Sequence, residues 1–385
     1  MSLAQDIIAP AAQDSLAERA DRLARDFATR AGRHDAEGSF VAENCAKLKE
    51  AGLIEAGVPA ELGGGGASAA ELADMLRRLA QGCGATALAF AMHSHQVAIP
   101  AWRWRNQPAA RATVEPLLRR IASERIVLLS SGGSDWVGGA GRAERVEGGY
   151  RIHATKGFAS GAPLGALMMT SAFADGPEGP TVLHFGLPLT APGVQIHEVW
   201  DAMGMRGTGS QDLVLEGAFV PDSKITLRRP AGQWHPLFQI IGTIAIPLIH
   251  AVYLGLAEAA RDRTLALEAA RPEARRSPRL VGELEIRLHA ARLAHRDMVA
   301  VIGEESPSAR SVDRVMQGRA LLVEAVLAVA SQAMDLAGGA GYLRKTGLER
   351  IFRDLQAARY HPMRADKAAL YAGTLALGGD VSRIF

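Results

Sequence analysis

The segment Trp200-Asp-Ala-Met-Gly-Met-Arg-Gly-Thr-Gly-Ser-Gln-Asp212 places one arginine, Arg206, among glycines and small hydroxyl residues. Glycines let backbone amides come close to a ligand, and the hydroxyls of Thr208 and Ser210 can donate or accept hydrogen bonds. Such a loop suits a polar, planar or phosphorylated ligand, and we take Arg206 and Ser210 as candidate substrate-binding residues. A plain β-turn connection is the alternative, and it is the commoner origin of an isolated loop of this composition.

The chain around this loop, from 123 to 230, has the texture of β-strands. Short apolar or alternating runs are separated by Gly, Pro and Asp, and no helix-length periodic segment interrupts them. The runs are Ile126–Leu129, Tyr150–Lys156, Leu167–Phe173 and Thr181–Leu187. This stretch predicts an antiparallel middle domain built as a β-barrel or sandwich.

Both flanks of the β segment read as helices, because apolar residues recur there at three- and four-residue steps. The periodic stretches are Leu16–Ala28, Phe40–Ala51, Glu71–Ala80, Leu237–Ala269, Leu280–Ile302, Ser311–Ala337, Gly347–Arg359 and Arg364–Leu377. Ser311 is the predicted N-cap of its helix and Gly338-Gly339 the stop. Long helices on short loops predict a C-terminal four-helix bundle. The expected class is therefore α+β, with an N-terminal helical domain at 1–122, a middle β domain at 123–230 and a helical bundle at 231–385.

Composition and charge narrow the function classes. The 385 residues are 48% hydrophobic and 22% charged, which is typical of a globular protein whose core needs no disulfide or metal. Lys+Arg is 43 and Asp+Glu is 41, so the net charge of +2 gives no reason to expect nucleic acid or a membrane as the partner. Two cysteines, Cys45 and Cys83, exclude a disulfide scaffold. With no signal-peptide pattern at the N-terminus, we expect a cytoplasmic protein.

Three further glycine- and serine-rich segments are candidate ligand loops. Ser130-Ser-Gly-Gly-Ser-Asp135 directly follows an apolar run, and Lys156-Gly-Phe-Ala-Ser-Gly-Ala162 places Ser160 between small residues. Gly338-Gly-Ala-Gly-Tyr342 follows a long helix, where a helix C-cap accounts for one glycine but hardly for three. Taken singly, the first two are explained equally well by a simple turn.

Three histidines are candidates for chemistry. His93 and His95 lie two residues apart on one predicted helix, where side chains at i and i+2 point to different faces, so they cannot both bind one metal through that face. Without an HExxH motif or a cysteine pair, we expect no metal site. His361 lies between two predicted helices, where a structural role is the alternative to a catalytic one. The chain also lacks a GxSxG elbow, a Walker loop and a strand-linked GxGxxG, which argues against hydrolase, P-loop NTPase and Rossmann dehydrogenase functions.

Taken together and in order, these segments resemble the motifs of the acyl-CoA dehydrogenase superfamily over nearly the whole chain. The matching segments are Leu48–Gly66 with "GL…VPxxxGGxG", Gly133-Ser-Asp135 with the end of the strand-loop flavin motif, Lys156–Ala162 with "KxWITNG", Gly204–Asp212 with "GMRGTGSxD", Gly338–Tyr342 with "GGxGY" and Glu349–Asp354 with "ERxxRD". Each motif alone is modest. Six in the right order, on a helix–β–helix plan, indicate this fold.

The resemblance implies a flavin enzyme that binds FAD or FMN between its β domain and its C-terminal bundle. It also implies a homotetramer or homodimer that acts on a small-molecule substrate. The cofactor-binding residues that it implies are Ser130, Ser134, Phe158, Ser160, Gly338, Gly339 and Gly341. The three glycines would approach the flavin nucleotide, in this family often that of a neighbouring subunit.

The chain departs from the dehydrogenase pattern at the catalytic base. Dehydrogenases of this family abstract a substrate α-proton with a glutamate, commonly in a "YEGT" segment, where this chain has Tyr371-Ala-Gly-Thr374 with Ala372 at the glutamate position. Some members place the base on the first long C-terminal helix, where Ala245 aligns and no acid lies between 238 and 255. Alanine accepts no proton, and losing a positioned base costs about 10²–10⁴-fold in rate.

Members of the family without this glutamate include monooxygenases of the dibenzothiophene monooxygenase and hydroxyphenylacetate hydroxylase type. They tend to carry one histidine after the RD helix and another in the N-terminal helical domain, positions where this chain has His361 and either His93 or His95. The resemblance therefore predicts a monooxygenase that a separate flavin reductase supplies with reduced flavin. Its implied catalytic residues are His361, His93, His95 and Ser160, the last near flavin N5.

Two alternatives stay open. The first is an acyl-CoA dehydrogenase that oxidises an acyl-CoA thioester with FAD and takes its base from an unrecognised carboxylate. The second is a non-catalytic protein with a flavin-enzyme fold, used for binding or assembly. Bleaching of bound flavin by an acyl-CoA would favour the first, and failure to bind any flavin would favour the second.

Overall fold

The computed structural model describes residues 14–130, 139–176 and 179–384. Helices from the two ends of the chain share one hydrophobic core, while the β segment between them has a second core of its own. The expected α+β class, with helices, then strands, then helices along the chain, is confirmed. The domain boundaries at 122/123 and 230/231 stay a prediction.

Six helices precede the sheet: α1 Leu16–Ala28, α2 Ala31–Glu37, α3 Ala42–Glu50, α4 Ala69–Gly82, α5 Gly84–Asn106 and α6 Arg111–Glu124. α1 and α4 each begin with a capping box, Ser15 with Glu18 and Ser68 with Glu71, in which side chains satisfy the free amides of the first turn. α5 differs from them, because 16 of its 23 residues are buried. It runs through the interior and packs on both the sheet and the C-terminal helices.

The described residues of the middle segment form eight strands: β1 Leu128–Ser130, β2 Arg142–Val146, β3 Gly149–Ala159, β4 Leu167–Ala174, β5 Thr181–Pro188, β6 Val194–His197, β7 Gln211–Pro221 and β8 Ile225–Pro230. They make one sheet in the order β6-β7-β3-β2-β4-β5-β8, with β1 also on β4. Five neighbouring pairs are antiparallel, as expected. β1 and β2 instead run parallel to β4, so the sheet is mixed rather than purely antiparallel.

The two parallel pairs have a simple geometric origin. Ser130 at the end of β1 pairs with Met169 near the start of β4, and Arg142 at the start of β2 pairs with Phe173 near its end. β1 and β2 thus follow each other along one edge of β4 in the same direction. The alternation of apolar and polar residues specifies which face of a strand is buried, but it does not specify strand direction.

Six helices complete the chain: α7 Leu237–Ala269, α8 Pro278–Glu304, α9 Ala309–Ala337, α10 Gly339–Tyr342, α11 Leu348–Leu355 and α12 Ala365–Ala376. α7, α8 and α9 pack on one another and α12 packs on α9, which gives the expected bundle of four helices. The predicted N-cap of α9 was wrong by one turn. Ser308 is the cap, and Ser311 closes the capping box from the third helical position. Two serines at this spacing both fit the cap pattern, so the sequence did not separate them.

α7 is the central helix of the shared core. Its most apolar 18-residue window has a mean hydropathy of 2.0, long and apolar enough to cross a membrane, yet 94% of that window is buried inside the protein. α9 has a similar window of which half is buried. α4, α5, α8, α9 and α11 all pack against α7, so its apolar surface serves the protein interior.

The loop between β6 and β7 docks on α11 through a close backbone contact. A Cβ placed on Gly204 would lie 2.4 Å from the carbonyl oxygen of Arg353, so glycine is needed at this position. The Arg353 guanidinium donates to the Met203 carbonyl at 2.9 Å and forms an ion pair with Asp35 of α2. The loop, α2 and α11 are therefore locked together.

The Gly204→Ala substitution should lower the free energy of unfolding by about 1–3 kcal/mol, because a clash with backbone atoms cannot be relieved by rotating a side chain. Urea unfolding at equilibrium measures the change. Gly282→Ala in α8 is the matched control: its Cβ meets nothing within 4 Å, so it should be neutral or stabilise by up to about 1 kcal/mol. Equal stability of the two variants would contradict the close contact.

Candidate active site

Three hydroxyl groups form a buried chain between the end of β3 and the start of β7. Ser160 Oγ lies 2.8 Å from Ser210 Oγ, which lies 2.7 Å from Thr208 Oγ1. Thr208 Oγ1 is 2.9 Å from the Met205 carbonyl oxygen, which can only accept, so Thr208 donates to it. Because each hydroxyl has one proton, Ser210 must donate to Thr208, and Ser160 must donate to Ser210. Ser160 is left with acceptor lone pairs for a ligand.

Phe158, two residues before Ser160, presents an aromatic ring to solvent. The residue is 66% exposed, and its backbone has φ of 57°, a left-handed conformation that bulky residues rarely adopt. The Trp200 ring meets it edge-on, with centroids 5.8 Å apart and planes at 75°. Val199 and Met203, which flank Trp200 in sequence, are also more than half exposed. An exposed ring beside a hydroxyl acceptor suits a flat, partly polar ligand.

α5 packs on β1 and carries Met92 and His95. Ser130 Oγ, at the end of β1, lies 3.8 Å from Met92 Sδ. His95 follows one turn later, and its buried Nδ1 has no hydrogen-bond partner among the described residues. Burial, assisted by the nearby His93 and His361, lowers the pKa of His95 to about 3, so the ring is neutral. A neutral imidazole with one unpaired nitrogen can bond to a ligand.

His93, also a candidate, is occupied within the protein. Its Nε2 lies 2.8 Å from the Ile54 carbonyl oxygen and therefore donates, while its Nδ1 accepts from the Leu128 amide at 3.0 Å. The residue is 1% exposed. Both ring nitrogens thus tie α5 to its neighbours, and we do not carry His93 into the proposed catalytic set.

His361 lies in the short segment between the turn at Gln356–Arg359 and α12, and it is half-buried. Its Nδ1 is 2.6 Å from the hydroxyl oxygen of Tyr253 on α7. Burial lowers the pKa of His361 to about 4, opposed by the Ala357 carbonyl and assisted by the charge of Arg319. Burial also raises the pKa of Tyr253 well above its usual value. Both groups are therefore neutral near pH 7.

Arg206, a candidate substrate ligand, is engaged by the protein itself. Its Nε donates to the Asp35 carbonyl at 2.8 Å and its Nη1 to the Ala202 carbonyl at 3.1 Å, so it ties the loop to α2. Ser210, the second substrate-binding candidate, is 4% exposed inside the hydroxyl chain and acts on a ligand only through Ser160. Neither is carried forward as a direct substrate contact.

The glycines of the 338–342 segment have separate structural roles. Gly338 ends α9 with a backbone φ of 56°. A Cβ on Gly341 would lie only 3.0 Å from the Ala337 Cβ, so Gly341 is closely packed. Gly339 faces open space, with nothing within 4 Å of a Cβ. Roughly 28 Å of helix separates Gly338 from Arg319, which contacts the His361 segment. The segment is therefore remote from the His361 of its own chain.

In the part of the chain that the structure describes, the candidate catalytic side chains have no carboxylate as a hydrogen-bond partner. Among the described residues, no Asp or Glu forms a hydrogen bond or ion pair with Phe158, Ser160 or His361. Ala245 is buried and Ala372 half-buried, and neither can take a proton. Over the same ranges, no three His, Cys, Asp or Glu side chains are grouped to hold a metal ion. Ser134 lies outside the described residues.

A buried carboxylate that sequence analysis did not single out holds the loop in place. Asp354, the last residue of the "ERxxRD" segment, is 2% exposed and accepts a hydrogen bond from the Met205 amide. Burial raises the pKa of Asp354 to about 6, although Arg350 and the Met205 amide act in the opposite direction. The only signal for this contact in the sequence was the presence of both motifs, "GMRGTGSxD" in the loop and "ERxxRD" in α11.

Tyr253 was also missed. Its sequence signal is a single phenol in an apolar stretch of α7, since a buried tyrosine hydroxyl usually finds a partner. The partner, His361, lies 108 residues further along the chain, and only the fold brings the two together.

Two family models match the chain. The acyl-CoA dehydrogenase N-terminal domain matches residues 10–119, and the acyl-CoA dehydrogenase C-terminal domain matches residues 248–365. The chain belongs to the acyl-CoA dehydrogenase superfamily. The resemblance drawn from the six motifs is thereby confirmed, and the chain is an enzyme of the flavin-dependent oxidoreductase class.

The similar proteins include a nitrososynthase, a monooxygenase and an acyl-CoA dehydrogenase. L-evernosamine nitrososynthase of Micromonospora sp. is 29% identical, over 95% of this chain and 90% of its own. Dibenzothiophene monooxygenase of Mycolicibacterium goodii is 26% identical, over 89% of each chain. The solved structure of KijD3 in complex with FMN and a dTDP-linked amino-keto sugar has a TM-score of 0.87 and 27% identity, covering 95% of this chain and 94% of its own. Human short-chain specific acyl-CoA dehydrogenase is also related, at 23% identity over 86% of this chain and 82% of its own.

Asp354 should make stability depend on pH between about 4 and 6. In this window the folded protein still holds the Asp354 proton that the unfolded chain has released, so the contribution of this group to stability falls as pH rises. The loss approaches ~3 kcal/mol at the upper end. Asp354→Asn keeps an acceptor for the Met205 amide and does not ionise, so its stability should change less across the window.

Urea unfolding at pH 4, 5 and 6 tests this expectation. Asp201→Asn is the control, because the Asp201 side chain is 93% exposed and should leave the pH dependence as it is. Parallel stability curves for the unsubstituted protein and Asp354→Asn would show that Asp354 does not hold a proton in the folded state.

Proposed function

We propose that this chain is a flavin-dependent monooxygenase that receives reduced flavin from a separate reductase and uses dioxygen to oxygenate a small molecule. The observation that carries the proposal is the missing proton acceptor. Ala372 and Ala245 stand where the family's dehydrogenases have a glutamate, and no described Asp or Glu is bonded to Phe158, Ser160 or His361. A thioester α-proton is not removed efficiently without a positioned base.

The residues at the edge of the β domain fit a flavin. Phe158 offers an exposed ring face for stacking, and His95 offers an unpaired buried nitrogen. Ser160 can only accept, because its own proton is used in the hydroxyl chain. A reduced flavin carries hydrogen on N5, so an acceptor at Ser160 favours the reduced form over the oxidised form. When bound, reduced flavin supplies the electrons that activate dioxygen.

We propose FMN rather than FAD as the bound flavin. The solved KijD3 complex contains FMN. We propose that Ser130 and Ser134 belong to the same flavin site. Gly338, Gly339 and Gly341 are proposed to approach the flavin of a neighbouring subunit, since they lie far from His361 of their own chain.

His361 is proposed as the hydrogen-bond donor of the site. Because its pKa is about 4, the ring stays neutral over the physiological range and offers an N–H without a net charge. Such a donor can stabilise an oxygen atom that gains negative charge, whereas it is a poor acceptor for a carbon-bound proton. His95, neutral for the same reason, is the second proposed catalytic imidazole.

The proposed substrate is a small molecule oxygenated at nitrogen or sulfur. The support comes from the names of the relatives, an amino-sugar nitrososynthase and a dibenzothiophene monooxygenase. We further propose a homotetramer or homodimer, because Ile286 on α8 and Leu321 on α9 are 71% and 61% exposed. A cytoplasmic location is supported by the two free, buried thiols of Cys45 and Cys83.

Acyl-CoA dehydrogenation is the second candidate, favoured by the human relative of that name. Protein loaded with oxidised FMN or FAD is mixed anaerobically with acyl-CoA thioesters of short to long chain, and flavin absorbance is followed. We expect no bleaching, and we expect the reduced complex to consume dioxygen after air is admitted. Bleaching by an acyl-CoA would replace the monooxygenase proposal with the dehydrogenase. Failure to bind either flavin would favour a non-catalytic protein.

His361→Ala should lower product formation by about 10²-fold or more, the usual effect of losing a proton-transfer or donor group. The dissociation constant for reduced FMN should stay within a few-fold of the unsubstituted value. Dibenzothiophene and an amino-sugar nucleotide serve as probe substrates, with a flavin reductase in excess. His289→Ala, an exposed position on α8, is the control and should leave turnover unchanged. Normal turnover in His361→Ala would remove this residue from the mechanism.

A further inference from the structure

Two buried side chains from different helices converge on His361. Arg319 of α9 and Tyr253 of α7 are 1% and 0% exposed. Arg319 contacts the backbone of the segment that carries His361, and Tyr253 contacts the imidazole ring. Position and orientation of the ring are therefore set by separate groups.

Arg319 fixes the backbone. Its Nη2 donates to the carbonyl oxygens of Ala358 at 3.0 Å, Arg359 at 3.4 Å and His361 at 3.0 Å. A charged donor gives stronger bonds to carbonyls than a neutral one, and these three carbonyls belong to one short segment. The Cα of His361 is thereby held at a defined distance from α9.

The hydrogen bond between Tyr253 and His361 has one possible direction. Both groups are neutral near pH 7, so a single proton lies between the phenol oxygen and Nδ1, which are 2.6 Å apart. If the ring donated, the phenol proton would need another acceptor, and the described residues supply none. An unpaired buried donor costs about 1–3 kcal/mol. The phenol therefore donates and Nδ1 accepts.

The nearest other imidazole does not change this direction. His250, one turn before Tyr253 on α7, has its ring centroid 5.8 Å from that of Tyr253. Its Nδ1 lies 2.8 Å from the Ile246 carbonyl and donates to it. Its Nε2 has no hydrogen-bond partner among the described residues, so it does not compete for the phenol proton.

We infer that Tyr253 is a positioning residue that fixes His361 in the tautomer with hydrogen on Nε2. With Nδ1 anchored on α7, Nε2 always carries the ring hydrogen, and the Ala357 carbonyl lies near enough to raise the pKa of the ring. A ring free to exchange tautomers would present a donor only part of the time. A hydrogen bond from this N–H to a reacting oxygen atom rests on the proposed monooxygenase function, whereas the tautomer itself does not.

Nitrogen-15 NMR on protein labelled at histidine tests the tautomer directly, without flavin or substrate. The His361 signals are identified by their loss in His361→Asn. We expect one protonated nitrogen, Nε2, and one unprotonated, hydrogen-bonded nitrogen, Nδ1. In Tyr253→Phe, which keeps the ring packing, the Nδ1 signal should move and the two tautomers should mix. A protonated Nδ1 in the unsubstituted protein, or unchanged signals in Tyr253→Phe, would overturn the inference.

Kinetics give the second readout. Tyr253→Phe should lower kcat by about 10- to 100-fold, the effect of losing a partner that orients an active-site group, with little change in KM or in reduced-FMN binding. Tyr371→Phe is the matched control, because it removes a hydroxyl from an equally buried tyrosine that bonds to the Ala309 carbonyl at the start of α9. A fall in kcat of the same size in Tyr371→Phe would also overturn the inference. If His361→Ala keeps full turnover while the tautomer is as expected, the monooxygenase role of His361 fails and the positioning by Tyr253 stands.

Discussion

The bond between the buried Asp354 carboxyl and the Met205 amide is the contact on which the candidate site depends. Asp354 lies in the "ERxxRD" segment of α11, one residue before the helix ends, and Met205 begins the turn that holds Thr208 and Ser210. Next to this bond, Gly204 lies against the Arg353 backbone at a distance that no side chain permits. The helical core also includes Leu128 of β1 and Leu167 of β4, and the bond between Asp354 and Met205 adds a polar contact between the β domain and α11.

Once the loop is anchored, each hydroxyl has one proton to donate, and this decides which groups donate and which accept hydrogen bonds. The Met205 carbonyl accepts from Thr208, and this forces the direction of every later bond until Ser160, which is left as an acceptor. On the opposite side, Tyr253 donates to His361 and leaves that ring as a donor. Burial keeps both His95 and His361 uncharged, because a low-dielectric interior disfavours the imidazolium form. Under the proposed function, these residues supply neutral donors and acceptors where related dehydrogenases have a glutamate base.

Under the proposed function, one scaffold serves two chemistries. Acceptance of a carbon-bound proton requires a carboxylate, and a substitution to alanine at one or two positions removes it. Activation of dioxygen by a reduced flavin requires instead that neutral N–H and O–H groups be held in fixed directions. Arg319 holds the backbone of His361 and Tyr253 holds its ring, so the imidazole keeps a fixed direction. Neither residue needs to touch a ligand for this.

The sequence by itself determined the class of fold and most of the candidate site residues. Periodicity identified α1, α7 and α9, six ordered motifs identified the superfamily, and Ala372 marked the missing base. The sequence did not determine that β1 and β2 pair in parallel with β4. Nor did it show that His93 and Arg206 are hydrogen-bonded within the protein, or that Tyr253 bonds to His361. Local patterns report which face of an element is buried, since burial follows from the residues of that element alone. Hydrogen-bond partners far apart in sequence, and the pKa shifts that burial produces, depend on which surfaces meet, and only the tertiary structure decides that.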